Sequence, residues 1–281
     1  MRFREALLSS SVNHSSRVVL ALDVIGPLDS RLRRAAGLVS RLGDELAGVK
    51  INFHIMLPRG LEGLSEVIHI CAGKGLPLIA DIKLNDIEAT NLEAVRLLFS
   101  GGIDAVIANP FVGAEEGLSK VIEEANLLGK GVILLVYMSH AGAVDGYNLR
   151  VRGRPLYIEF ARRVRDWHAD GAVVSAKSPR IVSEVRAVLE KGQLILTPGV
   201  GVQGGEADRA VAAGADFPIV GRSIIESADP EGVLKEFNLS IPAPGTAPRL
   251  LGAASSSSDK RQSGERLRNG TMHNPRARKR S

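Results

Sequence analysis

Hydrophobic and polar positions alternate in a regular order from residue 17 to about residue 238. Short β-branched runs indicate buried strands, and amphipathic stretches with a helical period follow them after turn signals. Eight strands are predicted, at residues 18–22, 48–51, 78–82, 105–108, 132–136, 172–175, 194–197 and 218–220. Eight helices are predicted, near residues 30–42, 61–73, 87–99, 115–128, 156–168, 179–190, 206–213 and 223–237.

This order of strands and helices predicts an α/β fold. Eight strand–helix units in about 220 residues favour a compact (β/α)8 TIM barrel over an open doubly wound sheet. Length and composition do not distinguish one barrel from two small domains, since 281 residues with 44% hydrophobic content suit either. We therefore expect an N-terminal extension over residues 1–16, a single barrel domain over residues 17–240 and a tail over residues 241–281.

The net positive charge of the chain comes from that tail. Residues 249–281 contain nine Lys or Arg and two acidic residues, a surplus that exceeds the net charge of +5 of the whole chain. The rest of the chain is therefore slightly acidic, as ordinary globular surfaces are. The tail is also rich in Ser, Gly and Pro and has little to bury, so we expect it to be disordered. It is either a solvated extension or a weak polyanion-binding arm.

Cysteine content and hydropathy point to the cytoplasm. Cys71 is the single cysteine, which excludes an internal disulfide and a zinc site built from several cysteines. Residues 1–16 contain only a two-leucine apolar stretch, which is too short for a signal-peptide core. No run approaches the roughly 20 apolar residues that a membrane helix needs.

Charged residues follow the third predicted strand. Asp81 and Lys83 lie two positions apart, so alternation places both side chains on the same face of the strand. Asp86 follows where the chain leaves the strand and a helical period begins. Charges placed this densely against an apolar strand are costly to bury, which is typical of a functional site.

Polar residues also follow five other predicted strands. In a barrel, all carboxyl ends of the strands meet at one rim, where such folds place their chemistry. Any one of these residues taken alone fits a helix cap or a turn, and only their convergence indicates a site. They are Asp23, Lys50, Asn109, Ser139 and Lys177.

The last two strands are followed by segments suited to phosphate. Residues 197–205 read Thr-Pro-Gly-Val-Gly-Val-Gln-Gly-Gly, and residues 221–224 read Gly-Arg-Ser-Ile. Glycine lets backbone N–H groups approach an anion closely, and Arg222 adds a forked donor. The loops after strands seven and eight are where barrels commonly bind phosphate. We therefore expect a phosphate loop that contains Gly199, Gly201, Gln203 and Gly204.

Over residues 17–226 the chain resembles the orotidine 5′-phosphate decarboxylase family. Four motifs carry the resemblance, and they occur in order along the chain. They are Asp81-x-Lys83-x-x-Asp86-Ile87 with Thr90-Asn91, then Met138-Ser139-His140-x-Gly142-Ala143, Pro198-Gly199-Val200-Gly201-x-Gln203-Gly204-Gly205, and Val220-Gly221-Arg222-Ser223-Ile224. The resemblance implies removal of CO₂ from C6 of orotidylate to give UMP, without a cofactor or a metal, by a homodimer.

The resemblance also implies a role for individual residues. Lys83 would stabilise the developing C6 carbanion and protonate it, and Asp81, Asp86 and Lys50 would complete the catalytic group. Asp86 and Thr90 would reach the ribose from the neighbouring subunit of the dimer. The remaining implied substrate contacts are Asp23 and Lys50 to the ribose, Ser139 to the pyrimidine ring, and Gln203, Gly221 and Arg222 to the phosphate.

Some positions depart from the family pattern or receive no role. Asn85 stands where a small residue is usual, and Glu88 stands where proline is common, which adds a carboxylate near the expected dimer interface. His140 matches its motif and is interpreted as a packed or capping residue. The segment from Gly142 to Arg154 is rich in arginine, and its role stays open.

Two alternative functions remain. One is a magnesium-dependent sugar-phosphate decarboxylase or aldolase that shares the Asp-x-Lys-x-x-Asp motif. Such enzymes place an acidic metal ligand on the second strand, where this chain has Lys50, which would repel a divalent cation. The other is a catalytically silent protein that binds a phosphosugar or nucleic acid and uses the barrel as a scaffold.

Overall fold

A computed structural model describes residues 1–201 and 205–242. Eight parallel strands form a closed barrel, which confirms the predicted (β/α)8 fold. The barrel strands are β1 (Val19–Ala21), β2 (Gly48–Asn52), β3 (Leu78–Leu84), β4 (Ala105–Ala108), β5 (Gly131–Tyr137), β8 (Gly171–Val174), β9 (Leu194–Pro198) and β10 (Phe217–Val220). Around the barrel their order is β1-β10-β9-β8-β5-β4-β3-β2. The predicted tail from residue 243 onward lies outside the described residues.

Helices follow the strands around the outside of the barrel. They are α1 (Phe3–Asn13), α2 (Leu28–Leu42), α3 (Phe53–Met56), α4 (Ser65–Lys74), α5 (Glu88–Ser100), α6 (Ser119–Leu127), α7 (Ala143–Tyr147), α8 (Leu156–Asp166), α9 (Pro179–Arg186), α10 (Gly205–Ala212), α11 (Arg222–Ile225) and α12 (Pro230–Ser240). The arginine-rich segment after β5 contains an antiparallel hairpin, β6 (Arg150–Val151) with β7 (Arg154–Pro155). None of the helices in the described part combines the length and hydrophobicity that crossing a bilayer requires.

Two elements differ from their predicted form because of local backbone chemistry. The predicted last helix is two helices, α11 and α12, and Asp229 separates them by accepting a hydrogen bond from the Gly232 N–H at 3.0 Å. Pro230 then starts α12, which suits the first position of a helix. Before α6, the chain is kinked over Ala114–Leu118, where the backbone of Glu115 and Glu116 is not helical and Glu116 has a φ of 52°.

The hydrophobic residues form two layers because strand residues alternate between two faces. On β1, Val19 belongs to the cluster that fills the barrel, and Leu20 belongs to the cluster between the strands and the helices. This arrangement leaves the barrel interior packed, so a ligand can reach only its ends.

Helix α1 covers the amino-terminal end of the barrel, which the sequence did not predict. Phe3 and Leu7 are 1% and 0% exposed and join the interior cluster. Gly131 leaves room for this packing, since a Cβ atom there would lie 2.4 Å from the Phe3 ring. The Arg4 guanidinium pairs with Asp170 at 3.2 Å, just before β8. The first residues of the chain therefore close one end of the barrel and leave the other end open.

Candidate active site

The open, carboxyl-terminal end of the barrel contains a cavity of about 950 Å³. Its floor consists of apolar residues at the ends of several strands, including Ala21, Ile107 and Ile219. Most of the predicted site residues line it together. They are Asp23, Lys50, Asp81, Lys83, Ser139, Gly199, Gly201, Gly221 and Arg222.

Two lysines and two aspartates form a continuous charged array in this cavity. Lys50 is only 4% exposed, and its Nζ atom lies 3.2 Å from Oδ2 of Asp81 and 3.8 Å from Oδ1 of Asp23. The Nζ atom of Lys83 lies 2.9 Å from Oδ1 of Asp81. Each oxygen of the Asp81 carboxylate therefore contacts a different ammonium group, which fixes the orientation of that carboxylate.

Asn52, which was not among the predicted site residues, completes the array. Its Nδ2 donates to Oδ1 of Asp23 at 2.5 Å, and its Oδ1 accepts a hydrogen bond from the ammonium of Lys50. Asn52 lies two residues after Lys50 on β2, so alternation places both side chains in the cavity. The same period-two argument that paired Asp81 with Lys83 would have found it, if the predicted strand had not ended at residue 51.

The backbone at Lys83 is unusual. Its φ is 48°, in the left-handed region that side chains other than glycine rarely adopt. The pairing of β3 with β4 changes register between Ala80 and Leu84, as at a β-bulge. Bulges often occur beside active sites, where they redirect a side chain. The Lys83–Asp81 contact therefore depends on an irregular strand end as well as on simple alternation.

Asp86 and Thr90 are exposed and do not line the cavity of their own chain. The Oδ1 atom of Asp86 accepts the N–H of Ile87 at 2.7 Å, a contact with the next residue in the chain. The neighbouring Glu88 extends toward α6, where its carboxylate lies 2.6 Å from the Lys120 ammonium. Within one chain, Asp86 and Thr90 are thus separate from the other predicted site residues.

Two glycines of the cavity lie close to other side chains that line it. Gly199 has a φ of 90°, and a Cβ atom there would lie 2.9 Å from the Cβ of Ser139. A Cβ atom on Gly221 would lie 3.2 Å from Oδ2 of Asp23. Gly199 therefore combines a left-handed backbone with a close approach that a side chain would block, whereas a side chain on Gly221 would require only a small shift of Asp23. The predicted phosphate contacts Gln203 and Gly204 lie outside the described residues.

Further polar residues line the cavity. Lys177 was predicted as a strand-end residue and His140 as a packed or capping residue, whereas Glu206 and Glu226 had no predicted role. The Gly201 N–H donates to Oε2 of Glu206 at 2.8 Å. Lys177 follows β8, and its Cε would lie 3.7 Å from a Cβ on Gly199, which places an ammonium group next to the expected phosphate loop. His140 and Glu226 also line the cavity. Since these residues come from different loops, only the fold brings them together.

These features define a (β/α)8-barrel protein with a lysine–aspartate array and a glycine-rich loop at the open end. The sequence model of the Orotidine 5'-phosphate decarboxylase / HUMPS family matches residues 16–237. The chain belongs to that family.

Individual relatives agree with this assignment. The chain is 36% identical over 220 residues to the orotidine 5'-phosphate decarboxylase of Pyrococcus abyssi, which covers 78% of this chain and 96% of that protein. It is 38% identical over 215 residues to that of Thermococcus kodakarensis, covering 76% of this chain and 92% of that protein. The crystal structure of orotidine 5'-phosphate decarboxylase from Pyrococcus horikoshii has a TM-score of 0.66 at 31% identity and covers 80% of this chain and 98% of that one.

Proposed function

We propose that the protein decarboxylates orotidine 5′-phosphate to UMP and CO₂, a step of pyrimidine nucleotide biosynthesis. Its membership of the family and the identity to decarboxylases across nearly their whole length support this activity. The single observation that carries the proposal is the array in which Asp81 is held between Lys83 at 2.9 Å and Lys50 at 3.2 Å.

The reaction needs an environment that stabilises a carbanion. When the bond between C6 and the carboxyl carbon breaks, the electron pair stays on C6 and CO₂ leaves. In our proposal the Lys83 ammonium faces C6, stabilises the negative charge and then transfers a proton from Nζ to C6. Lys83 regains its proton from water. One preorganised donor of this kind contributes about 3–4 kcal/mol to lowering a barrier in other enzymes.

The other members of the array hold Lys83 in place before the substrate arrives. Asp81 would lie beside the departing carboxylate and orient the Lys83 ammonium. Lys50 balances the second oxygen of Asp81 and is almost fully buried. Because these charges already contact one another, little reorganisation is needed during the reaction, which is what makes electrostatic stabilisation effective.

We assign the rest of the cavity to binding the nucleotide. Asp23, Lys50 and Asn52 would contact the ribose, and Ser139 would hydrogen-bond the pyrimidine ring. Gly199, Gly201, Gln203, Gly204, Gly221 and Arg222 would hold the phosphate. Binding energy from a phosphate remote from the reacting carbon can be used to organise the site around the substrate.

We further propose a homodimer in which Asp86 and Thr90 reach the ribose in the cavity of the partner subunit. Both side chains are exposed and are separate from their own cavity. Large apolar side chains are also exposed after the adjacent strands β2, β3 and β4, namely Phe53 (48%), Leu57 (72%), Ile87 (66%) and Phe111 (69%). Exposed apolar groups clustered on one rim are typical of a protein–protein interface.

The single cysteine supports the proposal of a cytoplasmic location.

Lys50 argues against the magnesium-dependent alternative in this family. A divalent cation between Asp23 and Asp81 would occupy the place where the Lys50 ammonium contacts both carboxylates. Two like charges at that separation repel each other strongly in a buried site. The carboxylates of Asp23 and Asp81 are therefore arranged around a fixed ammonium group and leave no suitable place for a metal ion.

Product analysis tests the proposed activity. The purified protein is dialysed against EDTA and incubated with orotidine 5′-phosphate, and UMP and CO₂ are quantified. We expect equimolar UMP and CO₂ without added metal. Formation of UMP only after magnesium is restored would contradict the metal-independent reaction, and binding of the nucleotide without any product would favour the silent binding protein.

A further inference from the structure

We infer that Asn91 is a positioning residue for the turn that carries Asp86, and that it acts in this way on the catalytic site of the partner subunit. This inference rests on the proposed function, because it needs Asp86 to work in the partner's cavity. It concerns a buried amide that neither touches the substrate in our proposal nor lines the cavity.

The side-chain amide of Asn91 makes three hydrogen bonds within the protein. Asn91 is 0% exposed on the first turn of α5. Its Nδ2 donates to the Asp86 carbonyl at 2.5 Å and to the Gly117 carbonyl at 3.1 Å, and its Oδ1 accepts the Asp86 N–H at 3.2 Å. One side chain thus binds both backbone polar groups of Asp86.

The carboxylate of Asp86 has no comparable support of its own. It is exposed, and it accepts a hydrogen bond from the N–H of the next residue, Ile87. In the described part of the chain, no ion pair involves Asp86. Its location is therefore set by the backbone of the turn, and Asn91 is the side chain that holds that backbone.

The second anchor lies in the neighbouring strand–helix unit. Gly117 belongs to the kinked segment Ala114–Leu118 that follows β4, and it is buried. A break in a helix leaves backbone carbonyls without intrahelical partners, so they need other ones. Through the Gly117 carbonyl, Asn91 connects the turn after β3 to the segment after β4, so the Asp86 turn is held from two sides.

Asparagine is suited to this position by its hydrogen-bonding groups. Its amide offers two donors and an acceptor on one short, rigid side chain. Aspartate would place a carboxylate against two carbonyl oxygens, and an apolar residue would leave the Asp86 and Gly117 groups without partners in a buried place. Either change would let the turn move, and small displacements of a catalytic group lower rates strongly.

The test uses mixed dimers in which each chain carries a different substitution. Two affinity tags isolate dimers with one Asn91→Ala chain and one Lys83→Ala chain. One cavity of this dimer keeps its Lys83 and receives Asp86 from the chain whose Asn91 is intact. We expect both homodimers to be impaired, Asn91→Ala by about 100-fold in kcat. The mixed dimer should recover about half of the wild-type activity, since one of its two sites is complete.

A second mixed dimer is the reference for this result. Asp86→Ala paired with Lys83→Ala should be rescued in the same way. If this reference pair is rescued and the Asn91→Ala pair is not, Asn91 acts only within its own chain and the inference is wrong, while the proposed function stands. If neither pair is rescued although the wild type decarboxylates, the shared site itself is wrong, and the inference falls with it.

Val95→Ala is the matched control for damage to the helix. Val95 lies one turn further along α5, is 0% exposed and makes no hydrogen bond to the Asp86 turn. We expect it to lower thermal stability and to leave kcat unchanged at a temperature where the protein is folded. If Asn91→Ala does not fold, Asn91→Ser keeps one donor and should show a smaller kcat loss that is rescued in the same mixed dimer. An equal kcat loss in Val95→Ala would contradict the inference.

Discussion

The Nζ atom of Lys83 lies 2.9 Å from Oδ1 of Asp81, and the backbone of Lys83 is left-handed, with a φ of 48°. An ordinary strand would not need this conformation. Positive φ at a residue with a side chain costs about 1–3 kcal/mol and persists where the surrounding structure requires it, often at functional sites. The stability of the barrel therefore maintains the position of the ammonium that we assign to catalysis.

Asn52 should be needed for full activity because it links Asp23 to Lys50. In Asn52→Ala both charged groups lose a partly buried hydrogen-bond partner, which corresponds to about 1–3 kcal/mol. We expect kcat/KM to fall by about 10- to 100-fold. Steady-state kinetics checks this, with Asn126→Ala, an exposed position on α6, as the control. Unchanged kinetics in Asn52→Ala would remove Asn52 from the site.

Gly199→Ala should weaken substrate binding. The residue has a φ of 90°, and its new Cβ would lie 2.9 Å from the Cβ of Ser139. We expect KM for orotidine 5′-phosphate to rise more than kcat falls, because the phosphate loop and Ser139 move apart. Gly37→Ala is the control, since a Cβ on this exposed position of α2 meets nothing within 4 Å. It should raise stability by about 0.5–1 kcal/mol and leave KM unchanged.

Cys71 should be unreactive in the folded protein. It is 2% exposed, and burial raises the pKa of its thiol to about 12. A thiol in this state stays protonated at pH 8, and the thiolate is the reactive form. Titration with a chromogenic thiol reagent should give no native reaction and one thiol per chain after denaturation. Rapid reaction of the native protein would show that α4 opens locally.

Phe3→Ala should destabilise the barrel without changing its chemistry. Phe3 is 1% exposed against the barrel interior, and large-to-small changes at such aromatic positions cost about 3–5 kcal/mol. Urea unfolding checks this, with Leu8→Ala, 47% exposed on the same helix, as the matched control. We expect kcat to stay unchanged at low temperature. A stability equal to that of the wild type would mean that α1 does not close the barrel.

Period-two and helical patterns were sufficient to predict the fold. Every predicted strand overlaps an observed barrel strand, because a barrel strand between an interior and a helix layer must be apolar over its whole length. Helix α1 was missed since three successive serines interrupt its apolar pattern. Ser10 and Ser11 are nevertheless 2% exposed, and the Ser11 hydroxyl donates to the Ser16 carbonyl at 2.5 Å. Such local hydrogen bonds allow polar residues to be buried.

The sequence was sufficient to predict which strand ends carry site residues. It predicted only part of how their side chains are arranged. Alternation placed Asp81 and Lys83 together, but the register change and the positive φ depend on tertiary pairing with β4. For Asp86, the sequence motif and the position in one chain differ. Its sequence motif marks it as a site residue, whereas its place in one chain is exposed and away from the cavity. Spacing along a sequence does not specify which subunit a side chain serves.

The most direct measurement compares decarboxylation of orotidine 5′-phosphate by the wild type and by Lys83→Ala in EDTA, followed as loss of ultraviolet absorbance. Lys130→Ala is the control, because that lysine pairs with Asp104 at 2.8 Å, away from the cavity. We expect wild-type and Lys130→Ala turnover without metal and a loss of at least about 10³-fold in Lys83→Ala. Turnover in Lys83→Ala equal to that of the wild type would contradict the assignment of the lysine–aspartate array to catalysis.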